Sequence, residues 1–188
     1  MKEITRCPWC GTDPLYMKYH DEEWGVPVKE DDKLFEFLIL EGFQAGLSWR
    51  TILYKRENFK KAFDNFNAEK IARYTDKKVH KLMNDEGIIR NKLKIAAAIT
   101  NARAFLNIQD KTGSFAEYLW QFTGGKVKKN KWRSLKEIPA KTKESDAMSR
   151  QLIQDGFKFV GSTICYAHMQ ATGMVNDHLI DCFRYKLV

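Results

Sequence analysis

Most of the chain repeats apolar residues at spacings of three and four, the pattern of helices that bury one face. The alternation of apolar and polar residues that marks half-buried strands is rare, and four prolines and eleven glycines in 188 residues give few turn signals. The pattern therefore predicts an all-α protein of eight to ten helices. It shows no internal repeat at solenoid spacing, and we predict a single domain over residues 1–188.

Capping residues mark where several helices begin. Asp13 followed by Pro14 is typical of a first helical turn, because aspartate accepts from free amides and proline has no amide to lose. Asp31 or Asp32 opens a second helix and Ser48 opens a third. The predicted helices cover residues 13–24, 31–41, from 48 onward, 75–84, 89–109, 114–122, 145–155 and 163–171.

Charge and hydropathy narrow the class of protein. The apolar stretches are shorter than the roughly 20 residues of a bilayer span, and the N-terminus has no apolar signal core, so we expect a cytoplasmic protein that binds no membrane. A net charge of +8 favours a polyanionic partner, since basic contacts to phosphates release counterions. The lysine-rich segment from Gly124 to Lys143 contains Trp132, and either grips a phosphate backbone and stacks on a base or forms an ordinary solvated loop.

Cysteine and histidine spacing indicates a metal site. Four cysteines in a reducing compartment favour metal ligands or buried thiols over disulfides. His178 and Cys182 are four residues apart and would converge on a helix, and Cys7 with His20 completes a Cys2His2 set for a zinc ion that joins the two ends of the chain. Two alternatives stay open. His178 caps a helix while Cys182 is a buried thiol, or the Cys7–Cys10 pair replaces His20 or acts in thiol redox chemistry.

Long ordered blocks of residues run through nearly the whole chain and are far more specific than a short motif. They include Arg6-Cys7-x-Trp9, Asp13-Pro14-Leu15-Tyr16, Tyr19-His20-Asp21-x-Glu23-Trp24-Gly25-Val26-Pro27, Leu40-Glu41-x-x-Gln44-Ala45-Gly46-Leu47-Ser48-Trp49, Gly156-Phe157-Lys158-Phe159-Val160-Gly161 and Val175-Asn176-Asp177-His178. In these blocks the chain resembles the DNA-3-methyladenine glycosylase I family. The resemblance is weakest from about Gly113 to Lys143.

The resemblance implies a function and a fold. The fold is that of the helix-hairpin-helix DNA glycosylases, and the activity is hydrolysis of the N-glycosidic bond of 3-methyladenine in double-stranded DNA, with release of the free base. It assigns a structural zinc ion to Cys7, His20, His178 and Cys182. We expect a monomer by default, associated with a bacterial-type nucleoid. The alternative from another class is a non-catalytic zinc module that binds damaged DNA.

The resemblance also assigns the base pocket. Glu41 becomes the carboxylate that reads a cationic purine, although by itself it resembles a solvated acid at a helix end. Tyr16 and Trp49 become the faces on which the base stacks, with cation–π attraction of roughly 0.5 to 2 kcal/mol. The aromatic residues that complete or support this pocket are Tyr19, Trp9 and Trp24.

A hairpin between two helices is expected near residues 83–94. There Gly87 supplies a turn whose amides can approach a phosphate, followed by Arg90, Lys92 and Lys94. The alternative is a plain packing corner, because the segment lacks the Leu-Pro-Gly-x-Gly hairpin of many relatives.

The sequence offers no obvious general base. Relatives in the wider superfamily place a catalytic aspartate after the hairpin, whereas residues 91–109 contain no acidic residue. Asp155, Asp177 and Asp181 are the possible substitutes. No lysine stands at the position used for a Schiff base, so we expect a monofunctional glycosylase that leaves an abasic site.

Overall fold

Nine α-helices form in residues 4–188, the part of the chain that the computed structural model describes. The helices are α1 (Pro14–Glu22), α2 (Asp31–Gln44), α3 (Trp49–Ala62), α4 (Ala68–Ala72), α5 (Asp76–Met83), α6 (Lys92–Thr112), α7 (Phe115–Trp120), α8 (Lys143–Gln154) and α9 (Ser162–Ala171). The predicted helical class and number are confirmed. The structure adds the short helix α4, five 3₁₀ turns and a parallel pair of two-residue strands, β1 (Lys128–Lys129) and β2 (Val175–Asn176).

The helix α2 lies at the centre of the fold. It packs against α3, α6, α7 and α9, and every residue from Leu34 to Phe43 is buried. A helix that is buried all round carries apolar residues on all its faces, yet this one also buries Glu36 and Glu41. The two carboxylates are therefore the exceptions that the core must accommodate.

Side-chain caps explain where α1 and α3 begin. The Asp13 carboxylate accepts from the Tyr16 amide at 2.9 Å, and the Ser48 hydroxyl accepts from the Thr51 amide at 3.2 Å. Both bonds satisfy amides that have no partner inside their own helix. These two predicted starts are confirmed.

Two expectations about α2 are wrong. Asp31 does not cap this helix, because its carboxylate accepts from the amides of Phe115 and Ala116 at 2.9 and 2.8 Å and so caps α7. The helix also continues past Glu41 to Gln44. Glu41 thus lies inside a buried helix and not at an exposed end.

Residues 84–91, where the hairpin is predicted, connect α5 to α6. The predicted long helix over 89–109 begins later, at Lys92, because the Asn91 side chain caps it by accepting from the Lys94 amide at 3.1 Å. A Cβ atom on Gly87 would lie 2.9 Å from Asp85 Oδ1. Close packing, and not a left-handed backbone, therefore favours glycine at the turn.

Gly173 fixes the approach of α9 to the segment after α1, and we predict that Gly173→Ala destabilises the protein strongly. A Cβ there would lie 2.5 Å from the Val26 carbonyl carbon and 2.7 Å from the Gly25 oxygen, at a φ of +69°. Gly113→Ala is the matched control, because its φ is +81° but nothing lies within 4 Å. Urea unfolding should show a loss of about 1 kcal/mol for the control and clearly more for Gly173→Ala. Equal losses would contradict the packing argument.

Candidate active site and metal centre

A cavity of about 200 Å³ opens between α1, α2, the start of α3 and α9. Its walls combine aromatic rings with one carboxylate and two side-chain amides. The lining residues are Trp9, Tyr16, Tyr19, Trp24, Glu41, Gln44, Trp49, Ile138, Ala167 and Gln170. All six residues assigned to the base pocket from the sequence are therefore brought together here.

The aromatic rings of the cavity contact one another. The Trp9 ring centroid lies 5.0 Å from those of Tyr16 and Trp24, and Tyr19 lies 5.4 Å from Trp49. Tyr16 and Tyr19 are nearly parallel, with 14° between their planes. Such packing holds the rings rigid, and their faces attract a flat cationic ligand.

Glu41 provides the buried carboxyl group of the cavity. Its side chain is 2% exposed, and its Oε2 atom has no hydrogen-bond partner among residues 4–188. Burial raises the pKa of this carboxyl group to about 8, because removal from water disfavours the ionised form. A ligand that brings positive charge or N–H donors would satisfy the carboxylate and favour its ionised form.

Glu36, five residues earlier on the same helix, is also buried, but its carboxylate has charged partners. Its carboxylate accepts from Arg56 Nε at 2.8 Å and from Lys33 Nζ at 3.0 Å. Burial acts to raise the pKa of Glu36, but the two cations hold it below its ordinary value. The core can therefore provide partners for a buried carboxylate, and Glu41 differs from Glu36 in having none within residues 4–188.

Four lining residues were missed in the sequence. Gln44 is one turn after Glu41 on α2, and Ala167 and Gln170 are three residues apart on α9. Helical spacing from Glu41 could have indicated Gln44. Ile138 comes from the lysine-rich segment, where no local pattern distinguishes it.

Cys7, His20, His178 and Cys182 form a buried cluster in which one ligand atom of each residue lies within 4.8 Å of the others. Cys182 Sγ lies 3.4 Å from His20 Nε2, and both sulfurs lie 3.6 Å from His178 Nδ1. Zinc bonds of about 2.3 Å to sulfur and 2.0–2.1 Å to nitrogen, in a tetrahedron, give sulfur–nitrogen separations of roughly 3.5 Å. The donor set and spacing therefore fit a zinc ion.

The outer nitrogens of both histidines are already engaged. His20 Nδ1 lies 2.7 Å from Asp21 Oδ1, and His178 Nε2 lies 3.0 Å from the Trp24 carbonyl oxygen. Because these two oxygens only accept, the protons sit on the outer nitrogens and the lone pairs face the two sulfurs. Oriented histidines of this kind are the usual surroundings of a metal ion in proteins.

The expected helix over His178 and Cys182 is wrong. This stretch follows β2 and is not helical, and a 3₁₀ turn begins only at Phe183. The two side chains nevertheless converge because the turn folds back on the N-terminal segment, where the Leu179 amide donates to Cys7 Sγ at 3.4 Å.

Cys10 stands outside the cluster. Its thiol donates to the Cys7 carbonyl oxygen at 3.2 Å, and it is not one of the four residues that converge. The alternative in which Cys10 replaces His20 is therefore wrong. Burial raises the pKa of the Cys10 thiol, the opposite of what a reactive redox thiol needs.

The Cys/His cluster lies directly behind one wall of the cavity. The ring of Trp9 is 5.2 Å from that of His20, and the ring of Trp24 is 4.7 Å from that of His178. The two indoles therefore contact the cavity on one side and the histidines on the other. A metal ion in the cluster would fix their positions.

The hairpin residues divide into two groups. Arg90 and Lys92 are exposed, and Gly87 lies at the turn between them and α5. Lys94 is 8% exposed, and its ammonium donates to the carbonyl oxygens of Phe43 and Ala45 at 2.8 and 2.6 Å. The expectation that Lys94 contacts DNA is wrong, because this cation already binds the C-terminal end of α2.

Trp132, in the lysine-rich segment, is partly buried and held in place by two hydrogen bonds. Its indole N–H donates to Asp177 Oδ1 at 2.8 Å, and its carbonyl oxygen accepts from the Ile180 amide at 3.0 Å. The segment is fastened to the C-terminal part of the chain, beside the Cys/His cluster.

None of the three candidate bases lines the cavity. Asp155 accepts from the Tyr118 hydroxyl at 2.6 Å, and Asp177 is 1% exposed with both oxygens engaged. Asp181 is exposed. Glu41 is the one acid among the lining residues within 4–188.

Comparison with known proteins identifies the fold. A crystal structure of 3-methyladenine DNA glycosylase I matches with a TM-score of 0.94 and 49% identity, covering 95% of this chain and 98% of that one. A variant of 3-methyladenine DNA glycosylase I in complex with 3-methyladenine matches with a TM-score of 0.92 and 34% identity, over 96% and 97% of the chains. The fold is that of a helical DNA glycosylase.

Sequence comparison then identifies the family. A family model for methyladenine glycosylase matches residues 9–185. DNA-3-methyladenine glycosylase 1 of Escherichia coli (strain K12) is 48% identical over 182 residues, 97% of each protein. The chain belongs to the methyladenine glycosylase family, and the resemblance drawn from its sequence blocks is confirmed. Within residues 4–188, no helix combines the length and hydropathy that a bilayer crossing requires.

The raised pKa of Glu41 predicts a pH-dependent stability difference between the wild type and Glu41→Gln. With a folded pKa of about 8 against about 4.3 when unfolded, the native state binds the extra proton, so this group's contribution is present at low pH and is lost as pH rises towards 8. Glutamine does not titrate. Urea unfolding at pH 5, 6.5 and 8 measures the free energy of unfolding of both proteins. Between pH 5 and pH 8, the value for the variant should rise relative to that of the wild type by on the order of 2–4 kcal/mol. The exposed Glu117→Gln is the control, and a difference independent of pH would refute the assignment.

Proposed function

We propose that this chain is a monofunctional DNA glycosylase that removes 3-methyladenine from alkylated double-stranded DNA and leaves an abasic site. The observation that carries the proposal is the unpartnered, buried carboxylate of Glu41 inside a cavity of aromatic rings. Methylation at N3 makes adenine cationic, so the carboxylate and the ring faces attract the damaged base more than normal adenine. The base must leave the duplex to reach the cavity, which costs a few kcal/mol and less for a damaged base.

Glu41 acts on the bound base by accepting hydrogen bonds and stabilising positive charge. A cationic ligand favours the ionised form of a carboxyl group whose pKa is about 8. Binding at neutral pH therefore releases the Glu41 proton to solvent and creates an ion pair in the cavity. The pair is desolvated, which makes it selective for a cation.

The chemical step depends on the leaving group more than on an activated nucleophile. N3 methylation already weakens the glycosidic bond, and no carboxylate other than Glu41 lines the cavity within the described residues. Water then attacks a sugar that carries developing positive charge, without strong general-base assistance. Catalysis comes from holding the base and its charge in position.

The duplex approaches through the hairpin between α5 and α6. The exposed Arg90 and Lys92, with backbone amides near Gly87, can contact phosphates, and the net charge of +8 adds attraction that does not depend on sequence. These contacts position the duplex, and the cavity selects the base. The protein acts as a monomer.

A zinc ion held by Cys7, His20, His178 and Cys182 has a structural role. It joins residues near the two ends of the chain, and closure of a loop of about 170 residues stabilises the native state by roughly 5 kcal/mol in chain-entropy accounting. The cluster supports Trp9 and Trp24 from behind. No chemical step involves the ion.

The metal proposal predicts opposite results for two cysteine variants. Cys182→Ser should purify with little zinc and unfold at a temperature lowered by ten degrees or more, whereas Cys10→Ser should keep one zinc ion per chain, because Cys10 lies outside the cluster. Elemental analysis and calorimetry of the same samples give both quantities. Loss of zinc from Cys10→Ser, or its retention by Cys182→Ser, would contradict the ligand set.

Release of free 3-methyladenine from methylated duplex DNA tests the activity. We expect the wild type to release the base, and Glu41→Gln to lower kcat/KM by about 10- to 100-fold, since a hydrogen bond to a charged group contributes about 1.5–3 kcal/mol. Glu117→Gln is the exposed control and should behave as the wild type. A folded, metal-loaded wild type that binds methylated DNA but releases no base would instead be a damage-binding module.

A further inference from the structure

Asp177 is a buried carboxylate that accepts four side-chain hydrogen bonds. Its Oδ1 accepts from Asn130 Nδ2 at 2.7 Å and from Trp132 Nε1 at 2.8 Å. Its Oδ2 accepts from the Tyr166 hydroxyl at 2.5 Å and from Gln170 Nε2 at 2.8 Å. The carboxylate therefore connects the lysine-rich segment to α9.

The bond to Asp177 fixes the orientation of a side-chain amide in the base cavity. A carboxylate only accepts, so the nitrogen of the Gln170 amide must face it and the carbonyl oxygen must point elsewhere. The backbone of Gln170 is also held, because its carbonyl oxygen accepts from the Gly25 amide at 3.1 Å. The other cavity amide, on Gln44, has no such side-chain bond among residues 4–188. Gln170 is thus a preoriented acceptor.

We propose that Gln170 is a specificity-determining residue whose carbonyl oxygen accepts a hydrogen bond from the exocyclic amine of the methylated purine, and that Asp177 is the residue that positions it. The proposal rests on the glycosylase activity proposed above. An exocyclic amine has two N–H bonds, and Glu41 and Gln170 offer an acceptor for each. A methylated purine with an exocyclic oxygen would place that oxygen against the carbonyl oxygen of Gln170, which is also an acceptor, and the cavity disfavours this pairing.

Asp177→Asn provides a directional test, because the network forces the introduced amide into one orientation. The indole N–H of Trp132 can only donate, so the oxygen of the introduced amide must replace Oδ1 and its NH₂ group must replace Oδ2. That NH₂ group then faces Gln170, whose amide must turn its oxygen towards the substituted side chain. The Gln170 NH₂ group is left for the cavity, where it matches an exocyclic oxygen.

Binding of free 3-methyladenine and free 3-methylguanine, followed by calorimetry, measures this preference. Gln170→Met should weaken 3-methyladenine binding by about tenfold and change 3-methylguanine binding little. Asp177→Asn should weaken the first and strengthen the second, so that the ratio of the two dissociation constants shifts further than in Gln170→Met. In Gln170→Met, adding Asp177→Asn should no longer shift the ratio. Gln154→Met, on the exposed end of α8, is the control.

The outcomes separate the two proposals. If the wild type releases 3-methyladenine from DNA but Gln170→Met keeps both affinities, the role of Gln170 is refuted and the glycosylase stands. If Asp177→Asn lowers both affinities equally, Asp177 has a structural role only, whether or not the zinc content and melting temperature also fall. A wild type that releases no base overturns the glycosylase itself.

Discussion

One buried carboxylate, which has no hydrogen-bond partner for its Oε2 atom within residues 4–188, governs the functional part of this structure. Glu41 sits in a helix whose residues from Leu34 to Phe43 are all removed from water, where an isolated charge is costly and the group holds its proton instead. The fold tolerates this because the carboxyl group opens on the cavity and can be neutral when the cavity is empty. A cationic base removes the penalty on binding. Relief of this penalty therefore contributes to the affinity of the cavity for a cationic base.

The rest of the architecture holds the cavity walls against that carboxylate. Trp9 and Trp24 are supported from behind by the two histidines of the Cys/His cluster. Lys94 binds the carbonyl oxygens of Phe43 and Ala45 and so holds the C-terminal end of α2, the helix that carries Glu41. Flat, rigid walls suit a purine, because little side-chain entropy is lost when the base enters.

Local patterns in the sequence predicted most of the helices, because capping residues and apolar positions spaced three and four residues apart determine where a helix forms. Asp13 and Ser48 show this directly. Asp31 shows the limit, because its carboxylate caps a helix that begins more than eighty residues later in the chain. The burial of Lys94 and the long-range bond from Trp132 to Asp177 are likewise tertiary facts that no local pattern contains.

The residues of the cavity were predicted through the ordered sequence blocks and not through local physics. Glu41 by itself resembled a solvated helix end, and its meaning depends on the helices that cover it. His178 and Cys182 were paired for the wrong reason, since a folded-back turn and not a helix brings them together. Gln170 was missed because an amide on α9 carries no chemical signal until Asp177 is placed beside it.

The cavity walls differ in how freely they can change during evolution. Glu41 and Trp49 belong to the main apolar core or to its central helix, so replacing either would disturb the packing of the whole protein. Ile138 comes from the segment between α7 and α8, which is anchored through Trp132 but has no fully buried residue of its own, so its side chain can be exchanged at lower cost. A substitution at this one wall can therefore change the fit of the cavity to a base at less cost to the fold than a substitution at Glu41 or Trp49.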